Sequence, residues 1–269
     1  MRLGIEVEID YAVPEPADVL LQIEVAALPD QRIEFAELVV WSDTPIRADR
    51  GEEGIGQRCW IAAVDRLQAK YRATVTVDRA PVLLEALGAT PPRLLPAELI
   101  AYLLPSRYCP VDRFGGFVQR SFAGLAGGPL AAALADWVAR ELQYSCGGTT
   151  SDTTALDTFA TRAGVCRDYA HLLVTLARAG GIPARCVGAY APDVDPPDFH
   201  AVAELWLDGA WHLIDPTGMS RAGEIARINV GRDAVDIAFM TVFGSALLQR
   251  QTVRVMRLPQ ERASQSLVL

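Results

Sequence analysis

GVCRDYAHL, residues 164–172, runs straight into LVTLARAGG, residues 173–181. Helix formers dominate this run and its apolar residues recur every three or four positions, which predicts a buried helix beginning beside Cys166. Packing alone accounts for a lone cysteine, because a free thiol is among the most buried side chains. A few dozen residues on, however, DFHAVAELWLDGAWHLIDPTG at 198–218 supplies a second group of chemically capable side chains.

Within that cluster Asp208-Gly209 lies between two strand-like runs, the strongest short-range signal for a β-hairpin with a type I′ turn. A two-residue loop sets Leu207 opposite Ala210, Val202 opposite Asp215 and His200 opposite Thr217. His200 and Asp215 then project from one face as diagonal neighbours, about 7–8 Å apart at the backbone and within side-chain reach. A slip of one residue would separate them, so the inference depends on the turn. A carboxylate bonded to one imidazole nitrogen fixes the tautomer and leaves the other nitrogen to take a proton. Cys166, after a chain break expected at Gly164, is the nucleophile to match. Unsatisfied N–H groups and the positive end of the helix dipole favour a thiolate there, and its own N–H points toward a developing oxyanion.

The other histidines are expected to be structural. His171 follows Cys166 by five residues and lies about 140° round the helix. His212 alternates with Trp211, Leu213 and Asp215 and faces away.

The chain is 269 residues long and 51% hydrophobic, sufficient for a large core. Its net charge of −8, with signs interspersed, argues against nucleic acid as a partner. MRLGIEVEID alternates charge with apolar residues where a signal peptide needs a continuous apolar run, and no stretch of about 18 apolar residues occurs elsewhere. A soluble, cytoplasmic protein without a membrane partner is expected. Cysteines at 59, 109, 146, 166 and 186 are odd in number and widely spaced, so a disulfide framework is not expected. With no CxxC, no HExxH and three histidines, neither a metal nor a cofactor is expected.

Residues 3–11 alternate with a period of two, and DVLLQIEVA, FAELVVW, QRCWIAAV and AKYRATVTV continue in that manner. They predict a β-rich unit over residues 1–85. The proline-punctuated GATPPRLLP is the linker to a second unit over 86–269. There PAELIAYLL, PLAAALADWVARELQ and VCRDYAHLLVTLARA have helical spacing. ARCVGAYA, HAVAELWL, AWHLID and TVRVMRL then return to strands, an α+β arrangement.

Together GVCRDYAHL, DFHAVAEL and WHLIDPTG resemble the three motifs of the bacterial transglutaminase-like family, part of the papain-like cysteine enzyme superfamily. Their order is Cys, His, Asp, with 34 residues from Cys166 to His200 and 15 from His200 to Asp215. The resemblance covers roughly residues 100–250, since LPSRYC at 104–109 and VGRDAVDIAF at 230–239 are similar to segments flanking the core in that family. It implies helices packed on an antiparallel sheet behind a β-rich N-terminal domain, and a catalytic Cys166, base His200 and orienting Asp215. The activity implied is acyl transfer on peptide or isopeptide amides of a protein or peptide substrate through a thioester. Hydrolysis, as by a cysteine protease, is preferred. Glutamine transamidation or deamidation, or a silent peptide-binding module, are the alternatives.

For a side-chain oxyanion donor the natural place to search is YSCGGTTSD at 144–152. Arg167 and Asp168 resemble family positions but are expected to be solvated or dipole-balancing. Asp233 is as readily a turn residue as a neighbour of the site. Trp206 and Trp211 share the face of His200, with core packing the better expectation. Cys109 is expected to pack. Asp193, Asp195 and Asp198 lack the glycine and glutamate of a calcium loop and are expected to form a solvated loop beside the active-site entrance.

Overall fold

Alternation along the first eighty residues produces strands longer than the separate runs suggest. In the computed structural model, which describes residues 1–42 and 44–259, these are β1 (Arg2–Leu21), β2 (Gln31–Trp41), β3 (Arg47–Arg50) and β4 (Gln57–Val77). Asp43 of the expected first unit and residues 260–269 of the second lie outside the described residues. β1 absorbs the runs at 3–11 and the start of DVLLQIEVA, and β4 absorbs QRCWIAAV and AKYRATVTV. Their antiparallel pairing shifts register between Val13 and Ala17, where Pro14 and Pro16 carry no N–H for the ladder. Leu3, Ile5, Val7, Ile9, Tyr11 and Val13 are all buried, as a period of two requires.

The chain continues through α1 (Gly115–Ser121), α2 (Gly127–Glu141), β5 (Gln143–Tyr144), α3 (Ala155–Thr161), β6 (Ala163–Gly164) and α4 (Cys166–Ala179). PAELIAYLL forms a short 3-10 turn over Ala97–Tyr102 in place of an α-helix. β7 (Ala184–Tyr190), β8 (His200–Leu207), β9 (Ala210–Ile214) and β10 (Ala226–Gly231) come next, then α5 (Ala234–Ile237), β11 (Met240–Phe243) and β12 (Leu247–Leu258). The second sheet is antiparallel with order β10-β7-β8-β9. Ala203, Leu205 and Leu207 of β8 alternate into a core shared with Leu172, Leu173 and Leu176 of α4 and Leu130, Leu134 and Val138 of α2. α4 is therefore sandwiched, with every residue from Asp168 to Arg178 buried. The architecture is α+β, helices on an antiparallel sheet after a β-rich N-terminal region, as the sequence implies.

The C-terminal strands depart from the expected arrangement. TVRVMRL belongs to β12, which pairs along β1 from Arg2 to Ala12, while β11 pairs with Asp18–Leu21. These two strands thus join the first sheet, and pairing crosses the expected division at residue 85. The physical reason is that β4 satisfies only one edge of β1, leaving the N–H and C=O groups of the other edge for a second partner. A strand's own pattern announces its existence without naming that partner.

Buried polar contacts hold the two sheets together. Glu204, fully buried, accepts from Arg185 Nε at 2.8 Å and from Arg227 Nη1 at 2.5 Å, and Arg227 also pairs with Asp30 before β2. Tyr190 donates to the Ile23 carbonyl at 2.6 Å. Near the end of α4, Arg178 donates to the carbonyls of Ala184 (2.9 Å), Leu104 (3.1 Å) and Arg232 (2.6 Å). It thereby ties the 104–109 and 230–239 segments to the helix.

Candidate active site

α4 starts at Cys166 because Val165 is extended (φ −102°, ψ 179°) and the Asp168 carboxylate turns back to accept the Val165 N–H at 2.9 Å. A carboxylate in the first turn also balances the helix dipole. Asp168 is 0% exposed, so of the two expectations for it the solvated one gives way. Gly164 makes room for it: a Cβ there would fall 2.6 Å from the Asp168 Cβ. Arg167 is engaged as well, donating to Thr149 Oγ1 at 2.6 Å and the Thr150 carbonyl at 2.7 Å, which fastens the 145–153 loop beside the helix start.

β8 and β9 pair in the expected register, from Leu207 opposite Ala210 to Ala203 opposite Ile214. The turn has positive φ at both central residues, 50° at Asp208 and 80° at Gly209, as a type I′ hairpin requires. At the far end His200 Nε2 lies 2.9 Å from Asp215 Oδ2. Asp215 is itself fixed: Oδ1 accepts from the Thr217 N–H (2.9 Å) and hydroxyl (2.7 Å), and Oδ2 accepts from the Ser220 N–H (3.0 Å). With two oxygens receiving three such donors, the carboxylate has little freedom to do anything but orient the ring.

The remaining ring nitrogen, Nδ1, is buried and makes no hydrogen bond, and the side chain that acts on the ring besides Asp215 is Cys166. Burial works against a charged ring, but the hydrogen bond and charge of Asp215, joined by the influence of the nearby Cys166, push the His200 pKa up to about 9. Burial likewise works against the Asp215 carboxylate, but His200 and Thr217 hold its pKa below the ordinary value. An imidazolium between a sulfur and a fixed carboxylate is the favoured form of this pair at neutral pH. Cys166 and His200 line one cavity of about 450 Å³.

Tyr144 escaped the sequence analysis as a named donor, though it opens the stretch singled out for that search. Parallel pairing of β5 with β6 sets Tyr144 opposite Gly164, two residues before Cys166. Its ring leans on Tyr169 of α4, centroids 6.0 Å apart. The phenol thereby lies near enough to Cys166 to be influenced by it: burial first, then the charge of Cys166, raise its pKa. A parallel two-residue bridge leaves no periodic signal, so only the fold exposes this neighbour.

The other residues weighed from sequence fall elsewhere. His171 stacks on Tyr108 at 5.0 Å, accepts the Ala234 N–H at 3.1 Å through Nε2, and is pushed down to about 4 by burial. It is a neutral packing residue. His212 Nε2 meets the Leu207 carbonyl at 3.1 Å across the hairpin. Asp233 caps α5 through the Val235 N–H (3.0 Å) and accepts the Tyr108 N–H (3.0 Å). It braces the cavity wall from behind. Trp206 and Trp211 pack edge to face at 5.4 Å, with Arg185 lying 4.1 Å over Trp211, and neither lines the cavity. Cys109 is buried against the His171 carbonyl. In the 191–198 loop Asp193 pairs with Arg257, whereas Asp198 lies at the cavity and accepts from Gln251 at 2.7 Å. Among the described residues no group of three or more His, Cys, Asp and Glu side chains is placed to hold a metal ion, and no helix is long and apolar enough to cross a membrane.

Several known proteins are similar to this chain. Residues 126–216, which include Cys166, His200 and Asp215, match the family model for the transglutaminase-like superfamily. The crystal structure of a protein from Cytophaga hutchinsonii, described as a candidate cysteine protease, is similar with a TM-score of 0.90 and 31% identity, over 97% of this chain and 92% of that one. An uncharacterized protein of Mycobacterium leprae is 26% identical over 219 residues, 78% of this chain and 68% of its own length. Another, from Mycobacterium tuberculosis, is 29% identical over 127 residues, 40% of each chain.

Proposed function

The chain belongs to the transglutaminase-like superfamily, and from that membership and the geometry of its site we propose that it is a cysteine-dependent acyl-transfer enzyme that hydrolyses peptide or isopeptide amides. The observation that carries this is the meeting of Cys166, at the start of α4, with the hydrogen-bonded His200–Asp215 pair on one cavity.

In the proposed reaction the Cys166 proton resides on His200, whose raised pKa keeps the ring charged at neutral pH. The Cys166 sulfur attacks the amide carbonyl carbon, and the carbonyl electron pair moves onto oxygen. The Cys166 N–H and the Tyr144 hydroxyl, both beside the sulfur, donate to that oxyanion. His200 gives its proton to the leaving nitrogen, the C–N bond breaks, and a thioester remains on the enzyme. Water then attacks the thioester and gives a proton to His200. The thiolate leaves as the acid is released, and the imidazolium–thiolate pair is restored. Throughout, Asp215 holds the ring orientation and the tautomer.

The test uses a mixture of proteome-derived peptides incubated with the full chain, with and without a labelled primary amine, and monitored by mass spectrometry. Hydrolysis predicts new peptide termini that require Cys166 and do not require the amine. Amine incorporation at glutamine without new termini would make the enzyme a transamidase. Neither product, with Cys166→Ala indistinguishable from the wild type, would overturn the assignment of an enzyme.

A further inference from the structure

Beyond His200 the cavity changes character. Phe199, Ile228, Ile237, Phe239 and Met240 form its apolar end. Phe199 and Phe239 stack with centroids 4.3 Å apart and planes at 8°, and Phe199 is backed by Tyr190 at 5.7 Å. These rings are anchored in the core and present a preformed apolar wall within the cavity that holds Cys166.

Most polar groups around this wall are already engaged within the protein. Gln22 donates through Nε2 to the carbonyls of Asp236 (3.2 Å) and Ala238 (3.0 Å), and its Oε1 accepts from Arg58 at 3.2 Å. Asp198, an exposed residue, accepts from Gln251 and from the Phe199 N–H at 2.8 Å, both on Oδ1. Arg167 is occupied by Thr149, Thr150 and Asp168. The backbone of β7 at Gly188 and Ala189 is paired with Ala201 and His200. Against Ile228, Ile237, Phe239 and Met240 a charged or amide side chain gives up water for apolar neighbours, whereas an apolar one gains burial without loss.

We propose that this end of the cavity is a specificity pocket that selects an apolar, preferentially aromatic, substrate side chain flanking the amide attacked by Cys166. The proposal rests on Cys166 being the nucleophile. It also gives the N-terminal sheet a role in recognition, because Gln22 comes directly after β1 and Met240 begins β11, paired with Leu21. Met240 is half-buried at the cavity, whereas Ile228 and Ile237 are buried, so it is the aliphatic wall residue chosen for replacement.

The experiment maps products of a proteome-derived peptide mixture, as new termini or as sites of labelled-amine incorporation, for the wild type, Met240→Lys and Met240→Glu, with melting curves to establish that each is folded. The wild type is expected to favour Phe, Tyr, Leu or Met over Asp or Ser at one flanking position by on the order of a hundredfold in kcat/KM, the range a pocket of this kind discriminates. Met240→Lys is expected to lose about tenfold of that preference and to admit acidic residues, and Met240→Glu to admit basic ones. Cys166-dependent products with no apolar enrichment would overturn the pocket while leaving the thiol chemistry intact. Unchanged profiles in both folded variants would do the same. If a variant fails to fold, the wild-type profile alone decides. Absence of any Cys166-dependent product would overturn the nucleophile and the pocket together.

Discussion

Replacing Asp215 by Asn keeps the shape of the side chain and removes its charge, and the hydrogen bonds at this position set the consequence. The carboxylate receives Thr217 N–H and hydroxyl on one oxygen, and Ser220 N–H and His200 on the other. An Asn amide nitrogen accepts no hydrogen bond, so the donors on whichever oxygen it replaces lose that acceptor. If the nitrogen takes the place of Oδ2, it donates to His200 Nε2 and forces the ring proton onto Nδ1, the nitrogen that has to receive the Cys166 proton. Asp215 supplies the largest interaction raising the His200 pKa to about 9. Without it the pKa is predicted to fall from about 9, because burial works against the charged ring and the main opposing interaction is gone. The corresponding exchange in a Ser-His-Asp triad costs about ten-thousandfold in kcat, or about 5 kcal/mol of barrier, and we expect a loss of that order in kcat/KM. Two measurements check it: NMR titration of the His200 ring, and cleavage kinetics on a peptide identified by product mapping, with circular dichroism to verify folding. A folded Asp215→Asn protein retaining kcat/KM within about threefold of wild type would refute an orienting role for the carboxylate, given the ten-thousandfold expectation.

The surrounding contacts set further outcomes. Because the folded pKa of His200 lies above its ordinary 6.5, its protonation stabilises the native state fully below about pH 6.5, and that contribution fades as pH rises toward about 9. In urea titrations the wild type should lose on the order of 3 kcal/mol relative to His200→Gln between those pH values, and parallel pH profiles would contradict it. Tyr144→Phe removes only the hydroxyl beside Cys166 and should lower kcat about a hundredfold with KM nearly unchanged, as loss of one oxyanion donor does. An equal effect on KM, measured by the same peptide kinetics, would point to substrate binding instead. Val253→Asp places a carboxylate at a buried position of β12 against β1. It should lower stability by several kcal/mol, seen as a reduced urea midpoint, whereas a peripheral C-terminal strand would tolerate it.

Much of the site was legible from local chemistry. The Asp208-Gly209 turn specified the register, and register alone placed His200 and Asp215 on one face, now observed as a 2.9 Å contact. The helix starting at Cys166 was visible in its spacing, and the structural roles of His171 and His212 came from helical angle and strand alternation. What escaped depended on contacts distant in sequence. Tyr144 reaches Cys166 through a two-residue parallel bridge too short to leave a pattern. TVRVMRL was recognisable as a strand, but its partner lies at the other end of the chain, in Arg2–Glu8, and nothing in an isolated alternating run distinguishes one sheet edge from another. Asp168 offered the reverse lesson: a charged residue near a helix start reads as solvated until Gly164 is seen to make space for it.

The most direct measurement is the rate of iodoacetamide modification of Cys166 at pH 6, read by mass spectrometry against Cys146, the exposed free cysteine of the same chain. If His200 carries the proton of the sulfur, Cys166 reacts far faster than Cys146 in the wild type, and His200→Ala abolishes the advantage. Cys146 reacting first in both proteins, with Cys166 indifferent to the loss of the imidazole, would contradict the pairing on which the proposed chemistry depends.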